Sequence, residues 1–340
     1  MIKSIPYISP SQFYYWNKCP LKAVFYYEYK NTQFFPRHPD ADIGNIIHNF
    51  YENRYKWKIT NEEVFSDKWN KLIEKLNDEY KKSDLQSRYF PVQWHSNFYA
   101  VKKQLLKKHL LRPAKRKNTY SSIKNEEWIK DDINVIAGKA DLLIYNNEKI
   151  IIEIADFKTG KIFEKVKNKL KIKEAYKTQL ALYAKIIIDK QEYKPETTLI
   201  DISGKKHPVE ITSEEIDKIY NEAINLKHSI NTALQENKIN ELANPDNENC
   251  LMCNYRPVCK AYQQKFMNFP IKNIIDICGK VLISNTNLIK IENEQGVFQI
   301  VNFREIIPLS NKNICVYSLY FPGNDNKILY AQNNTIVKYE

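Results

Sequence analysis

Asp141, Asp156 and Lys158 are the residues whose types and spacing could do chemistry together. They fall within Ile136 to Lys161, where an apolar run to Tyr145 carries one acid, Asp141, and Asn146-Asn147 supplies a turn. A second apolar run, Ile150 to Phe157, ends in Asp156-Phe157-Lys158-Thr159-Gly160. Two β-rich runs split by a short polar turn predict adjacent antiparallel strands. Alternation puts Ile154, Asp156 and Lys158 on one side of the second strand and Glu153 on the other. Asp156 and Lys158 then point together at a strand end, within reach of Asp141. Two carboxylates and a lysine converging there suit a hard divalent cation beside a positioned water. A surface hairpin with solvated charges gives the same pattern, so these residues alone leave both readings open.

Other residue types join them from further along the chain. Ile43-Gly44-Asn45-Ile46-Ile47-His48 leads into an aromatic-rich helical pattern through Tyr51 and Tyr55. A lone histidine there is either a hydrogen-bonded partner or a ligand. After the hairpin, Lys161 to Lys177 is lysine-rich, and Ala175 onward reads as a helix by its apolar spacing. Gln179 and Tyr183 lie one turn apart on one face of it. Near the far end stands Cys250-x2-Cys253-x5-Cys259, with Cys19 distant in sequence. Thiols this close point to a metal site, either zinc on four cysteines or a [4Fe-4S] cluster with Cys19 as fourth ligand. The spacing does not decide between them.

Taken together, Asp141, Asp156-x-Lys158-Thr-Gly, Gly44-x-x-x-His48 and Gln179-x-x-x-Tyr183 resemble the PD-(D/E)XK nucleases of the RecB/AddB type. Ser9 to Pro20, with Cys19, resembles the opening segment of those members that carry an iron–sulfur cluster, including the CRISPR-associated exonucleases. The resemblance covers roughly residues 8 to 262. It implies an α/β (α+β) fold, a mixed sheet flanked by helices, and a metal-dependent DNA nuclease acting as an exonuclease on single strands or ends. His48, Asp141, Asp156 and the carbonyl of Phe157 would ligate Mg²⁺ or Mn²⁺. Lys158 would orient or deprotonate a water, and Gln179 and Tyr183 would position it or the DNA backbone. It also favours the [4Fe-4S] cluster on Cys19, Cys250, Cys253 and Cys259, as a structural clasp. The rival is a non-catalytic subunit of a helicase–nuclease or adaptation complex. Repair, CRISPR adaptation and phage defence all use such modules.

Composition bounds the rest. At 340 residues with 43% hydrophobic and 13% aromatic content, the chain can build a packed core. A net charge of +12 points to a polyanionic partner, nucleic acid first. No Gly-Lys pair is followed by Ser or Thr, which excludes a Walker A motor, so a helicase or integrase-type partner is expected. The absence of a signal peptide and of a spanning apolar run predicts a cytoplasmic protein with no membrane contact. Residues 52 to about 130 are expected as a helical insertion, and Val101 to Lys117, with eight Lys or Arg and no acid, as a phosphate-contacting face. Those eight are Lys102, Lys103, Lys107, Lys108, Arg112, Lys115, Arg116 and Lys117. Short β-type runs beyond Phe269 predict a second domain, 269 to 340, as a small barrel or sandwich of an oligonucleotide-binding-like kind. Ser11 is expected to cap the first helix, Lys206-His207-Pro208 to be loop, His207 and His228 to be surface residues, and Cys278 and Cys315 to be buried thiols.

Overall fold

The computed structural model describes residues 2–53, 56–112, 122–133, 135–303, 313–323 and 327–339. Helices come first: α1 (Pro10–Lys18), α2 (Leu21–Glu28), α3 (Pro39–Asn53), α4 (Glu62–Lys82), α5 (Val92–His95) and α6 (Tyr99–Leu110). The central strands follow as β1 (Ser122–Lys130), β2 (Ala137–Tyr145) and β3 (Ile151–Lys158). A small hairpin, β4 (Phe163–Val166) and β5 (Lys169–Ile172), leads to α7 (Glu174–Gln191), β6 (Glu196–Asp201) and β7 (Lys206–Pro208). Next are α8 (Ser213–Gln235), α9 (Asn247–Leu251) and α10 (Lys260–Phe266). The last strands are β8 (Ile274–Ser284), β9 (Leu288–Asn293), β10 (Gly296–Val301), β11 (Asn313–Tyr320), β12 (Ile328–Tyr330) and β13 (Ile336–Tyr339).

A five-stranded mixed sheet in the order β1-β2-β3-β6-β7 forms the centre. The expected hairpin is its spine: β2 and β3 pair antiparallel, and Asn146 turns between them by accepting from the Ile150 amide at 2.9 Å. β6 lies parallel to β3, so α7 is the crossover that any parallel pair requires. That helix is apolar almost all round because β3, α1 and α8 enclose it, and Leu180, Ala181, Leu182 and Ala184 are fully buried. α8 starts on a capping box in which Thr212 and Glu215 satisfy each other's backbone amides.

Three local expectations are corrected here. Pro10 opens α1 with Ser9, not Ser11, at the cap, because proline fits the first helical turn. Helix in the insertion ends at Leu110, and Ser122–Lys130 is strand β1, paired to β2 at the sheet edge. Its sequence, SIKNEEWIK, is too polar to alternate visibly, so only the ladder reveals it. Lys206–Pro208 is a short edge strand, and His207 is half-buried with Nε2 2.9 Å from Asp201 Oδ2.

The helices α3, α4, α5 and α6 enclose their own core, built on Ile47, Phe50, Phe65, Trp69 and Leu106. Their basic face is partly neutralised within the fold: Lys102 meets Asp40 at 2.6 Å and Lys107 meets Glu62 at 2.5 Å. Lys115, Arg116 and Lys117 lie outside the described residues.

The final strands make the small β domain. β8, β9 and β10 form an antiparallel meander, β12 adds parallel to β10, and β11 pairs with both β8 and β12. The pairings close a five-stranded ring around Ile277, Ile291, Ile300 and Leu319, with β13 outside β11. Register sets Cys315 directly opposite Cys278, and the two are joined in a disulfide, not free thiols as the sequence suggested. Their separation of 37 residues hid a cross-strand relation.

Candidate active site

The end of β3, two turns of α3, the first half of β2, two residues of β1 and the first turns of α7 surround a cavity of about 720 Å³. Asp156 is almost fully buried on β3. Its Oδ1 accepts from Gln179 Nε2 at 2.6 Å, and its Oδ2 faces the Lys158 ammonium at 2.5 Å. Gln179 Oε1 in turn accepts from Lys158 Nζ at 3.1 Å. Glutamine can do both because its amide carries a donor and an acceptor. α7 therefore clamps the carboxylate and the ammonium from one side chain. Tyr176, one helical turn earlier, lies under the ammonium, 4.5 Å from Nζ to ring centre. Tyr183, one turn later, donates to the Lys139 carbonyl at 2.7 Å and so ties α7 to β2.

Asp141 reaches across from β2, its Oδ2 accepting from the Phe157 amide at 2.8 Å. His48 approaches from α3, with Nδ1 3.6 Å from the same oxygen. Gly44, one turn before it, lets α3 come close: a Cβ there would stand 3.1 Å from Thr159 Oγ1. Tyr51 stacks on the Phe157 ring at 4.1 Å and fixes the helix against the strand end.

Glu126 is the residue that sequence reasoning missed. It lies on β1, where the ladder passes from Asn125↔Leu142 to Glu127↔Ala140 and skips the position opposite Asp141. Glu126 takes φ +56 there, and its carboxylate pairs with Lys139. Among the described residues, the donor atoms of His48, Glu126 and Asp141 form one group within 4.8 Å of one another. Asp156 is not a member of it. Nothing in the polar run of β1 singles out Glu126 from Glu127 beside it; only the break in the ladder does.

Electrostatics favour a cation. Glu52, Glu126, Asp141 and Asp156 line the cavity against two lysines, Lys139 and Lys158. Burial, reinforced by the Asp156 carboxylate, pushes Asp141 up to about 8. Burial works against the charge on Lys158, but the adjoining Asp156 more than offsets it, and its pKa is raised. Burial pulls His48 below the usual imidazole range despite Asp156, leaving it neutral and able to ligate. Burial, then the two aspartates, raises Tyr183, which stays a neutral donor. Asp156 Oδ2 is buried with the Lys158 ammonium as its partner. A buried carboxylate beside a histidine and two more acids is a donor set that fits a hard divalent ion.

The N-terminal helices meet the segment after α8 elsewhere. Cys19, at the C-cap of α1, Cys250 in α9, Cys253, and Cys259, at the N-cap of α10, all line one second cavity of about 20 Å³. All four are free. Burial, with neighbouring cysteines adding, raises the Cys250 thiol to about 12 and pushes Cys253 and Cys259 upward.

A family model of the PD-(D/E)XK nuclease superfamily matches residues 7–260. The chain belongs to that superfamily. PD-(D/E)XK nucleases use divalent metals and act on nucleic acid. No curated protein matches the chain. A crystal structure of a "putative exonuclease" from Eubacterium rectale is similar at 11% identity, with a TM-score of 0.43, over 76% of this chain and 88% of the other. Among the described residues no helix is long and apolar enough to cross a membrane.

Proposed function

We propose that this PD-(D/E)XK protein is a Mg²⁺- or Mn²⁺-dependent DNA nuclease of the RecB-like type, acting as an exonuclease on single strands or ends. The observation that carries the reading is the convergence, in one cavity, of three donors within 4.8 Å and the buried Asp156–Lys158–Gln179 clamp. His48, Asp141 and Glu126 would hold the cation, with Asp156 and the Phe157 carbonyl at its edge. When bound, the ion supplies Lewis acidity toward a water and the scissile phosphate. Lys158, held protonated by Asp156, donates hydrogen bonds and offsets charge developing on the phosphate oxygens; a protonated amine orients a water and does not take its proton. Gln179 keeps the ammonium in place, and Tyr183 fixes the β2 backbone beneath it. Half-buried Phe157, stacked on Tyr51, holds α3 and its neutral His48 against the strand end.

The four cysteines support the [4Fe-4S] clasp of this RecB-like reading: Cys19 comes from the N-terminal helices, Cys250, Cys253 and Cys259 come from the segment after α8, and all four line one small cavity. Four soft donors converging there suit a cluster as a structural tie.

The test is anaerobic purification and a cleavage assay with Mn²⁺ or Mg²⁺ on end-labelled linear and on circular single- and double-stranded DNA. Metal-dependent loss of label from linear single strands, absent in Lys158→Ala, is the expected result. A cluster-loaded protein that binds DNA yet never cuts it would make this chain a non-catalytic subunit.

A further inference from the structure

We infer that the β4–β5 hairpin is a guide arm for single-stranded DNA at the mouth of the active-site cavity, an inference that rests on the nuclease reading above. The arm is attached to the cavity at both ends. Thr159 and Gly160 line the cavity just before it, Tyr176 and Gln179 line it just after, and the Lys173 amide closes its base on the Ile162 carbonyl at 3.0 Å. Its turn, Lys167 and Asn168, has φ of +47 and +64, the doubly left-handed geometry that keeps a two-residue hairpin tightly paired.

Charge on the arm is one-sided. Residues 161 to 173 hold six lysines against one acid, Glu164. Among the described residues, Lys161, Lys165, Lys167, Lys169 and Lys171 make no ion pair, whereas Lys102 and Lys107 of α6 are taken up by Asp40 and Glu62. Five lysines of the arm are thus uncommitted beside the cavity, whereas two of the four lysines of α6 are taken up within the fold.

A lysine row by itself is usually a solvated face. The apolar side chains among the lysines argue otherwise. Leu170 is 76% exposed and pairs with Lys165 across the hairpin, on the same face, and Phe163 and Val166 are exposed as well. The outside of a duplex offers chiefly phosphates, but a single strand offers phosphates and unstacked bases together. A surface that alternates ammonium groups with bare apolar side chains matches the second.

Binding is measured by fluorescence anisotropy on the full chain, with metal chelated so that no cleavage occurs, using labelled single-stranded and duplex oligonucleotides across a salt series. Lys165→Gln/Lys167→Gln/Lys169→Gln should weaken single-strand binding by roughly ten-fold and lower the salt slope by about 2, from about 0.7 per lost phosphate contact. Lys71→Gln/Lys75→Gln/Lys82→Gln on α4 removes the same charge elsewhere and should leave binding nearly unchanged. Arginine at the three hairpin positions should restore both affinity and slope. Equal losses in the two triples, unchanged binding in the hairpin triple, or tighter binding of duplex than of single strand would each overturn the guide while metal-dependent cleavage by the unaltered chain persists. Absence of nucleic-acid binding and cleavage by the unaltered chain would remove the nuclease reading with it.

Discussion

Asp141 carries a cost that the metal would relieve. Its ordinary value is 3.8, and the fold raises it to about 8, so the folded metal-free protein holds a proton that the unfolded chain has already released. Stability of the metal-free form is unaffected below the unfolded value, falls as pH rises between the two values, and stays at the lower level above about 8. A cation must expel that proton, so its affinity should climb with pH over the same window and level off beyond it. Thermal melts with and without Mg²⁺ check this: the gap in Tm should widen from about pH 6 to about pH 8 and then stop growing. A constant gap would mean that Asp141 is not where the cation binds. Glu126→Gln keeps the shape of the site but removes one charged donor. By calorimetry or thermal shift, Mn²⁺ affinity should drop by roughly ten-fold or more, with folding retained. An unchanged affinity would leave Glu126 as no more than the counterion of Lys139.

At the scale of elements, the site works because three backbones approach more closely than side chains normally permit. Gly138 on β2 is the tightest point: a Cβ there would meet Pro10 Cδ at 2.8 Å and the Tyr183 hydroxyl at 3.0 Å. Gly138→Ala should push α1 and α7 off the sheet, costing about 1–3 kcal/mol and lowering both Tm and cleavage. A variant as stable and active as the unaltered chain would show that the helices yield freely. Apolar patterns made the β2–β3 hairpin, α7 and the His48 helix legible as elements, while His48, Gln179 and Tyr183 stood out only through the family resemblance. Strand β1 was not legible, because an edge strand paired on one side needs no apolar alternation, and Glu126 went with it. Cys278 and Cys315 were misread for a related reason: cross-strand partners carry no local spacing. The basic face of α6 is partly internal ion pairing, which composition cannot reveal.

A buried polar cluster ties the cysteine segment to the β domain, beside an apolar contact of Cys250, Tyr262 and Phe266 with Cys315, Tyr317 and Ile336. Arg256, between Cys253 and Cys259, is 4% exposed and donates from Nε to Asp276 at 2.8 Å. Its other nitrogens reach the Leu251 carbonyl at 2.6 Å and Ser318 Oγ at 2.5 Å. Tyr262 of α10 donates to the same Asp276 oxygen at 2.7 Å, and Phe35 lies under the guanidinium, 4.8 Å from ring centre to Cζ. Asp276 is on β8 and Ser318 on β11, so one arginine pins the segment carrying three of the four cysteines to two strands of the β domain. A buried pair of this kind adds little net stability when intact, but losing one partner strands the other charge and costs about 3–5 kcal/mol. Asp276→Asn should therefore lower Tm sharply. If the cysteines hold the proposed [4Fe-4S] cluster, the same variant should also retain less iron when purified anaerobically, because the stranded guanidinium lies between Cys253 and Cys259, although Asp276 touches no cysteine. Limited proteolysis supplies the converse. Chelating the proposed cluster should open the connection between α10 and β8 to cleavage, and the Asn variant should be cut there without chelation. Full iron content and an unchanged cleavage pattern in Asp276→Asn would mean that the β domain and the cysteine segment are neighbours without being coupled.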